Sequence, residues 1–172
     1  GAVDFLAECQ GTDMPALKQE PKLKVYVGPI ASHLGLNMNL IMDPFTNAQM
    51  RQAVAYAIDR DSMVKALTGG IGKPAYQPFW PNSPAYDPSL DGRWQFDVAK
   101  SKATLAAAGF PNGVTFKSII GANTGIYINF SNLLQAQLKN AGITMDLQLV
   151  AQADTVPMFW RQGPDGHGIV AA

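Results

Sequence analysis

NLIMDPFTNAQMRQAVAYAIDRDSMVKAL, residues Asn39 to Leu67, is the stretch from which the fold can be read. It predicts the end of a strand, a proline turn and two consecutive helices. Pro44 cannot donate to a continuing ladder, and it biases Asp43 toward extended backbone. Thr46 or Asn47 is placed to accept a hydrogen bond from an orphan N–H at the helix start. Met50, Ala53, Val54, Ala57 and Ile58 recur at the three-and-four spacing of one buried helix face, with Arg51, Gln52 and Ala55 on the other sides. Asp59 reads as a second N-cap, so that Arg60 to Leu67 begin a new helix instead of extending the first. Gly69-Gly70 is the stop.

Outward from this stretch, helical and extended signals alternate. Upstream, His33 to Asn39 is extended. Before it, Leu23, Val25 and Val27 alternate with Lys22, Lys24 and Tyr26, the periodicity of a half-buried strand that Pro29 closes. Thr12-Asp13-Met14-Pro15 is a helix start, with the helix running to Lys18 or Gln19. Downstream, residues 70–96 carry Pro74, Pro78, Pro81, Pro84 and Pro88 among Tyr76, Phe79, Trp80, Tyr86 and Trp94. So many prolines exclude a helix, and so many aromatics argue against a flexible linker. The expectation is an ordered loop packed across the surface, a setting that often carries function.

Asp97 then caps a helix through Ala108 that stops at Gly109. Val114 to Ile120 is a strand. Asn123-Thr124-Gly125 turns into a helix near Ile126, with Phe130, Leu133, Leu134, Leu138 and Ala141 on one face and Gly142 at its end. Ile143, Met145, Leu147 and Leu149 alternate with polar neighbours as another strand. Asp154 is expected to cap a short amphipathic helix containing Met158, Phe159 and Trp160, and a loop after Gly163 leads to the apolar Ile169-Val170. Such alternation predicts an α/β domain with helices covering a sheet.

At 172 residues the chain suits one domain with a real core, and 47% hydrophobic against 15% charged residues places it among folded rather than disordered chains. Thirteen basic and thirteen acidic residues balance. With no Lys/Arg cluster, nucleic acid and anionic membrane surfaces are poor partners. No apolar run approaches the ~20 residues that span a bilayer. Cys9, the single cysteine, excludes an internal disulfide and an all-Cys metal site.

Asn39, Pro44-Phe45, Met50-Arg51-Gln52-Ala53, Tyr56-Ala57-Ile58-Asp59-Arg60 and Gly70-Ile71-Gly72, in this order, resemble the extracytoplasmic solute-binding proteins of peptide and nickel ABC transporters. Their pattern runs N-x4-PF-x4-VRQA-x2-YAIDR, then G-x-G. A later outline, YD-x-x-x-AK-x-LL-x-x-AG, resembles Phe96 to Gly109, although Ser101 and Thr104 stand where it prefers Ala and Leu, which predicts looser packing there. The resemblance implies one lobe, the second, of a two-lobed periplasmic-binding-protein-like (type II) fold, with a mixed sheet flanked by helices across residues 1–172. It implies that the first lobe and an extra domain lie before Gly1, with the rest of the first lobe after Ala172. It also implies an exported protein, periplasmic or extracytoplasmic and membrane-anchored in some parents. Its partners would be a small solute such as a peptide, ABC permease subunits and the other lobe of its own chain. No cofactor or metal is implied. In peptide binders the group that pairs with the ligand's amino terminus follows the strand that here begins near Ile169, so these residues alone are expected to bind weakly.

Two places suit a ligand. Gln77, Phe79 and Trp80 form an aromatic wall beside accessible backbone, as peptide side chains require; the same rings could simply pack onto the lobe. Asn123 and Thr124, with Tyr127, lie at a strand-to-helix turn that presents N–H donors to a carboxylate or carbonyl, and plain capping by Asn123 is the alternative. Asn39, Arg51 and Asp59 match the family pattern as structural residues. A buried Arg51 would need a carboxylate, for which Asp59 or Asp43 is the nominee. Another class of function is a sensory module presenting a bound solute to a receptor. A third is a small thiol hydrolase using Cys9 with His33 or His167, but no nucleophile motif surrounds Cys9.

Overall fold

The computed structural model describes residues 4–6, 9, 11–28, 33–122, 125–160 and 168–171. Its elements in order are α1 (Met14–Gln19), β1 (Gly35–Met38), α2 (Ala48–Ala57), α3 (Arg60–Thr68), α4 (Val98–Ala107), β2 (Val114–Gly121), α5 (Gly125–Asn140), β3 (Ile143–Val150), α6 (Gln152–Trp160) and β4 (Gly168–Ala171). The four strands form one mixed sheet in the order β1-β4-β2-β3. β2 is parallel to both β3 and β4, while β1 runs antiparallel to β4.

The organising stretch folds as its spacing predicts. Asn47, in extended backbone, accepts from the Gln49 N–H at 2.8 Å and opens α2. Asp59 accepts from the Ser62 N–H at 3.0 Å and opens α3, which ends at Gly69 with φ 63°. That left-handed conformation favours glycine. Met50, Ala53, Val54 and Ala57 have no exposed surface. They join Phe45, Phe116, Ile120, Leu134, Leu138, Ile143 and Met145 in the main core between α2, α5 and one sheet face. The opposite face is smaller: Ile119 packs with Phe159, Val150 and Met158 beneath α6.

Three expectations need correcting. Residues 22–28 form no strand, and Leu23, Tyr26 and Val27 are 50%, 84% and 55% exposed. No described strand lies alongside to complete a ladder, so the alternation has nothing to be buried against. The strand expected over Ile143 to Leu149 forms as β3, with Ile143 and Met145 buried and Leu149 56% exposed. Asp154 lies inside the first turn of α6 rather than capping it, its N–H donating to the Ala151 carbonyl at 2.9 Å. Ser101, finally, does not loosen the α4 packing: it is fully buried, and its Oγ donates to the Ala53 carbonyl of α2 at 2.7 Å. A small hydroxyl lets the two helices approach and ties them together.

Candidate functional site

Residues 71–96 between α3 and α4 contain a single short 3-10 turn, Pro88–Leu90, yet they are held in place by side chains throughout. The main anchor is Arg60, the first residue of α3. Its Nε donates to the Ala75 carbonyl at 3.1 Å, and its Nη1 donates to the carbonyls of Trp94 at 3.0 Å, Ala55 at 3.2 Å and Ile58 at 3.3 Å. Ala75 and Trp94 belong to the two ends of the loop; Ala55 and Ile58 are at the end of α2. The guanidinium also lies 5.0 Å from the Tyr76 ring centroid. Burial pushes its pKa below the ordinary arginine value, with Tyr76 opposing the shift. Even so, an arginine stays protonated in a protein.

The middle of the loop is closed by Gln77. Its Nε2 donates to the Asp87 carbonyl at 2.8 Å, and its Oε1 accepts from the Asp87 N–H at 3.0 Å. Asp87 in turn accepts from the Ser89 N–H at 2.9 Å, and the hydrogen bonds from Ser89 hold its carboxyl below the usual aspartate range. The Tyr86 hydroxyl donates to the Asp91 carboxylate, which raises the phenol pKa. At the far end Trp94 meets Tyr56 of α2 edge-on, with centroids 5.4 Å apart. Lys100 and Arg93 lie over the Tyr56 and Trp94 rings at 4.3 and 5.0 Å. Phe79 and Trp80 stand between these anchors, 48% and 41% exposed.

Gln77, Phe79 and Trp80 thus share one pinned loop, with the Gln77 amide engaged in holding it and the two rings turned partly to solvent. Tyr127 is on a different element: it lies in the first turn of α5, half-buried against the main core, and its carbonyl accepts from Ser131 Oγ at 2.7 Å. Asn123 and Thr124 lie outside the described residues. Asn39 is buried, with its amide nitrogen donating to the Phe159 carbonyl at 3.2 Å, which ties the proline turn to α6. Arg51 takes neither nominated carboxylate. It donates to the carbonyls of Phe45 at 2.6 Å and Thr46 at 3.1 Å, while Asp43 accepts from the Thr46 hydroxyl and Asp59 caps α3. Partial exposure of Arg51 removes the need for a countercharge. Of the thiol-hydrolase residues, Cys9 and His33 are exposed and His167 lies outside the described residues. Among the described residues no cluster of three or more His, Cys, Asp or Glu is placed to hold a metal ion, and no helix is long and apolar enough to cross a membrane.

Sequence reasoning missed Arg60 as an anchor. The signal was available: a cation three residues past the last residue of a helix can fold back on orphan carbonyls at the negative end of the helix dipole.

A mixed sheet with helices on both faces and a pinned loop at the end of a helix pair make an α/β unit, and its likeness to solved structures makes that unit one of the periplasmic-binding-protein kind. The solved structure of AgaA from A.tumefacien R10, in complex with agropinic acid, superposes on 94% of this chain with a TM-score of 0.78 at 25% identity, using 33% of its own length. The glutathione-binding protein GsiB of Pectobacterium atrosepticum is 32% identical over 131 residues, 76% of this chain and 25% of the relative. Di/tripeptide-binding protein 2 of Pseudomonas aeruginosa is 29% identical over 140 residues, 78% of this chain and 26% of the relative. The chain therefore spans about a quarter of these curated relatives. Residues 1–164 match the middle region of the bacterial extracellular solute-binding proteins, family 5, and the chain belongs to that family.

Proposed function

We propose that these residues form one lobe of an extracytoplasmic solute-binding protein that delivers a peptide or similar small solute to an ABC importer. The lobe grips and breaks no bond. The observation that carries this reading is the posture of loop 71–96, fixed at both ends and in the middle while Phe79 and Trp80 remain exposed. Rigid aromatics on a braced loop make a ligand wall at small ordering cost. Two relatives whose names specify glutathione and di/tripeptides support a short peptide as the solute. The exposed, alternating Leu23 to Val27 segment favours a larger molecule in which a second lobe covers it, with export and any membrane anchor belonging to that whole.

The test is calorimetric titration of the protein, expressed from its complete reading frame, with glutathione, dialanine and trialanine. We expect at least one to bind, and Phe79→Ala with Trp80→Ala to weaken it about tenfold or more, the loss of roughly 1.4 kcal/mol. No binding of any of the three would refute the peptide assignment. Equal affinity in wild type and the double variant would remove this loop from the site.

A further inference from the structure

We propose that Arg60 is the positioning residue that sets the posture of the aromatic loop, and through it the presentation of Phe79 and Trp80; the part concerning solute rests on the function proposed above. A single guanidinium reaches carbonyls from three separate segments: Ala55 and Ile58 at the end of α2, Ala75 where the loop leaves α3, and Trp94 where it returns. Those two loop residues are nineteen positions apart in sequence, and Arg60 is the side chain that bonds to both. The first is followed by Tyr76 stacked on the same guanidinium, and the second by its own ring against Tyr56.

The fork is essential. Nε and Nη1 project in different directions from a rigid plane, so they can serve Ala75 on one side and Trp94 on the other. A lysine ammonium carries the same charge from a single point and cannot span the two. Among the described residues Arg60 meets carbonyls and a ring face but no carboxylate, so replacing it leaves no acid buried without its partner. Asp59 still caps α3, and Gln137 still bridges to the Asp59 backbone at 2.9 and 3.2 Å, so α3 keeps its own supports. Loss of Arg60 should therefore free the loop while sparing the sheet.

The experiment compares wild type, Arg60→Lys and Arg60→Ala by amide hydrogen exchange. A second reporter is Trp94 emission, in a background where Trp80 and Trp160 are phenylalanine. The expected result is unchanged protection in β2 and α5, exchange about tenfold or more faster across residues 75–94, and a red shift of Trp94 emission in both variants, with Lys failing to rescue. Where wild type binds glutathione or trialanine, both variants should bind it more weakly. Loop protection and Trp94 emission unchanged in both variants would overturn the proposal. So would loss of protection throughout β2 and α5 in Arg60→Lys, which would make Arg60 a support of the whole lobe. A wild type that binds none of the peptides, with the loop still freed in the variants, would refute the solute assignment and uphold the role of Arg60.

Discussion

Two buried serines offer opposite responses to the same substitution. Ser101 and Ser118 both have no exposed surface. Ser101 Oγ donates to the Ala53 carbonyl at 2.7 Å, bridging α4 and α2. Ser118 Oγ, on the β2 face that carries Phe116 and Ile120, has no hydrogen-bond partner among the described residues. Alanine at 101 removes a satisfied interhelical bond, a loss of about 0.5–1.5 kcal/mol net. Alanine at 118 removes a hydroxyl that was desolvated on folding without return, so the change should be neutral or stabilising by up to about 1 kcal/mol. The two variants remove the same atom and leave similar voids, so the cavity contribution largely cancels in their difference. That difference should fall near 1–2 kcal/mol, or roughly 2–8 °C in Tm for a chain of this length. Urea unfolding with a common m-value is the assay. Ser118→Ala costing more than about 1 kcal/mol would show that the hydroxyl is paired and sink the reasoning, as would a Ser101→Ala variant at least as stable as wild type.

Gly113 has φ 92°, and a Cβ there would sit 2.6 Å from the Gly142 carbonyl oxygen, so Gly113→Ala should destabilise by about 1–3 kcal/mol in urea melts. Asp59→Ala removes the cap on Ser62 N–H and should cost about 0.5–2 kcal/mol, with Asn at this position recovering most of the loss. The Tyr86 phenol is raised by its bond to Asp91, so the stability it contributes is fully present below the ordinary tyrosine pKa and is lost as pH rises through the raised one. Spectrophotometric titration should show one tyrosine ionising above the ordinary phenol value, and Asp91→Asn should bring it down; an unmoved titration in that variant would contradict the assignment.

The helices and their caps were legible because their causes are local. Asn47 and Asp59 stand within three residues of the N–H groups they accept from, and the α2 face is set by 3.6-residue periodicity alone. The same holds for Asp97 at α4, which accepts from the Lys100 N–H at 2.8 Å. Where a reading failed, the deciding partner was remote or was a backbone group with no letter of its own. Leu23, Val25 and Val27 have strand periodicity, but a strand exists only if another backbone lies beside it. Arg51 looked for a carboxylate because side chains are visible in a sequence, whereas the carbonyls of Phe45 and Thr46 that it meets belong to every residue alike. In the candidate site the aromatic loop and its Phe79-Trp80 tip were readable from composition. Its bracing was not, since Gln77 reaches Asp87 across ten positions and Arg60 reaches Trp94 across thirty-four.

By itself, then, the sequence determined the α/β alternation, the boundaries of α2, α3 and α4 and the family, all of which rest on short-range periodicity, capping and ordered motif residues. Only the tertiary structure decided the strand order β1-β4-β2-β3, the burial of Ser101 between two helices and the way one guanidinium gathers both ends of a loop. Those depend on which distant backbones come together, and the free energy of such contacts belongs to pairs of segments that neither segment specifies alone.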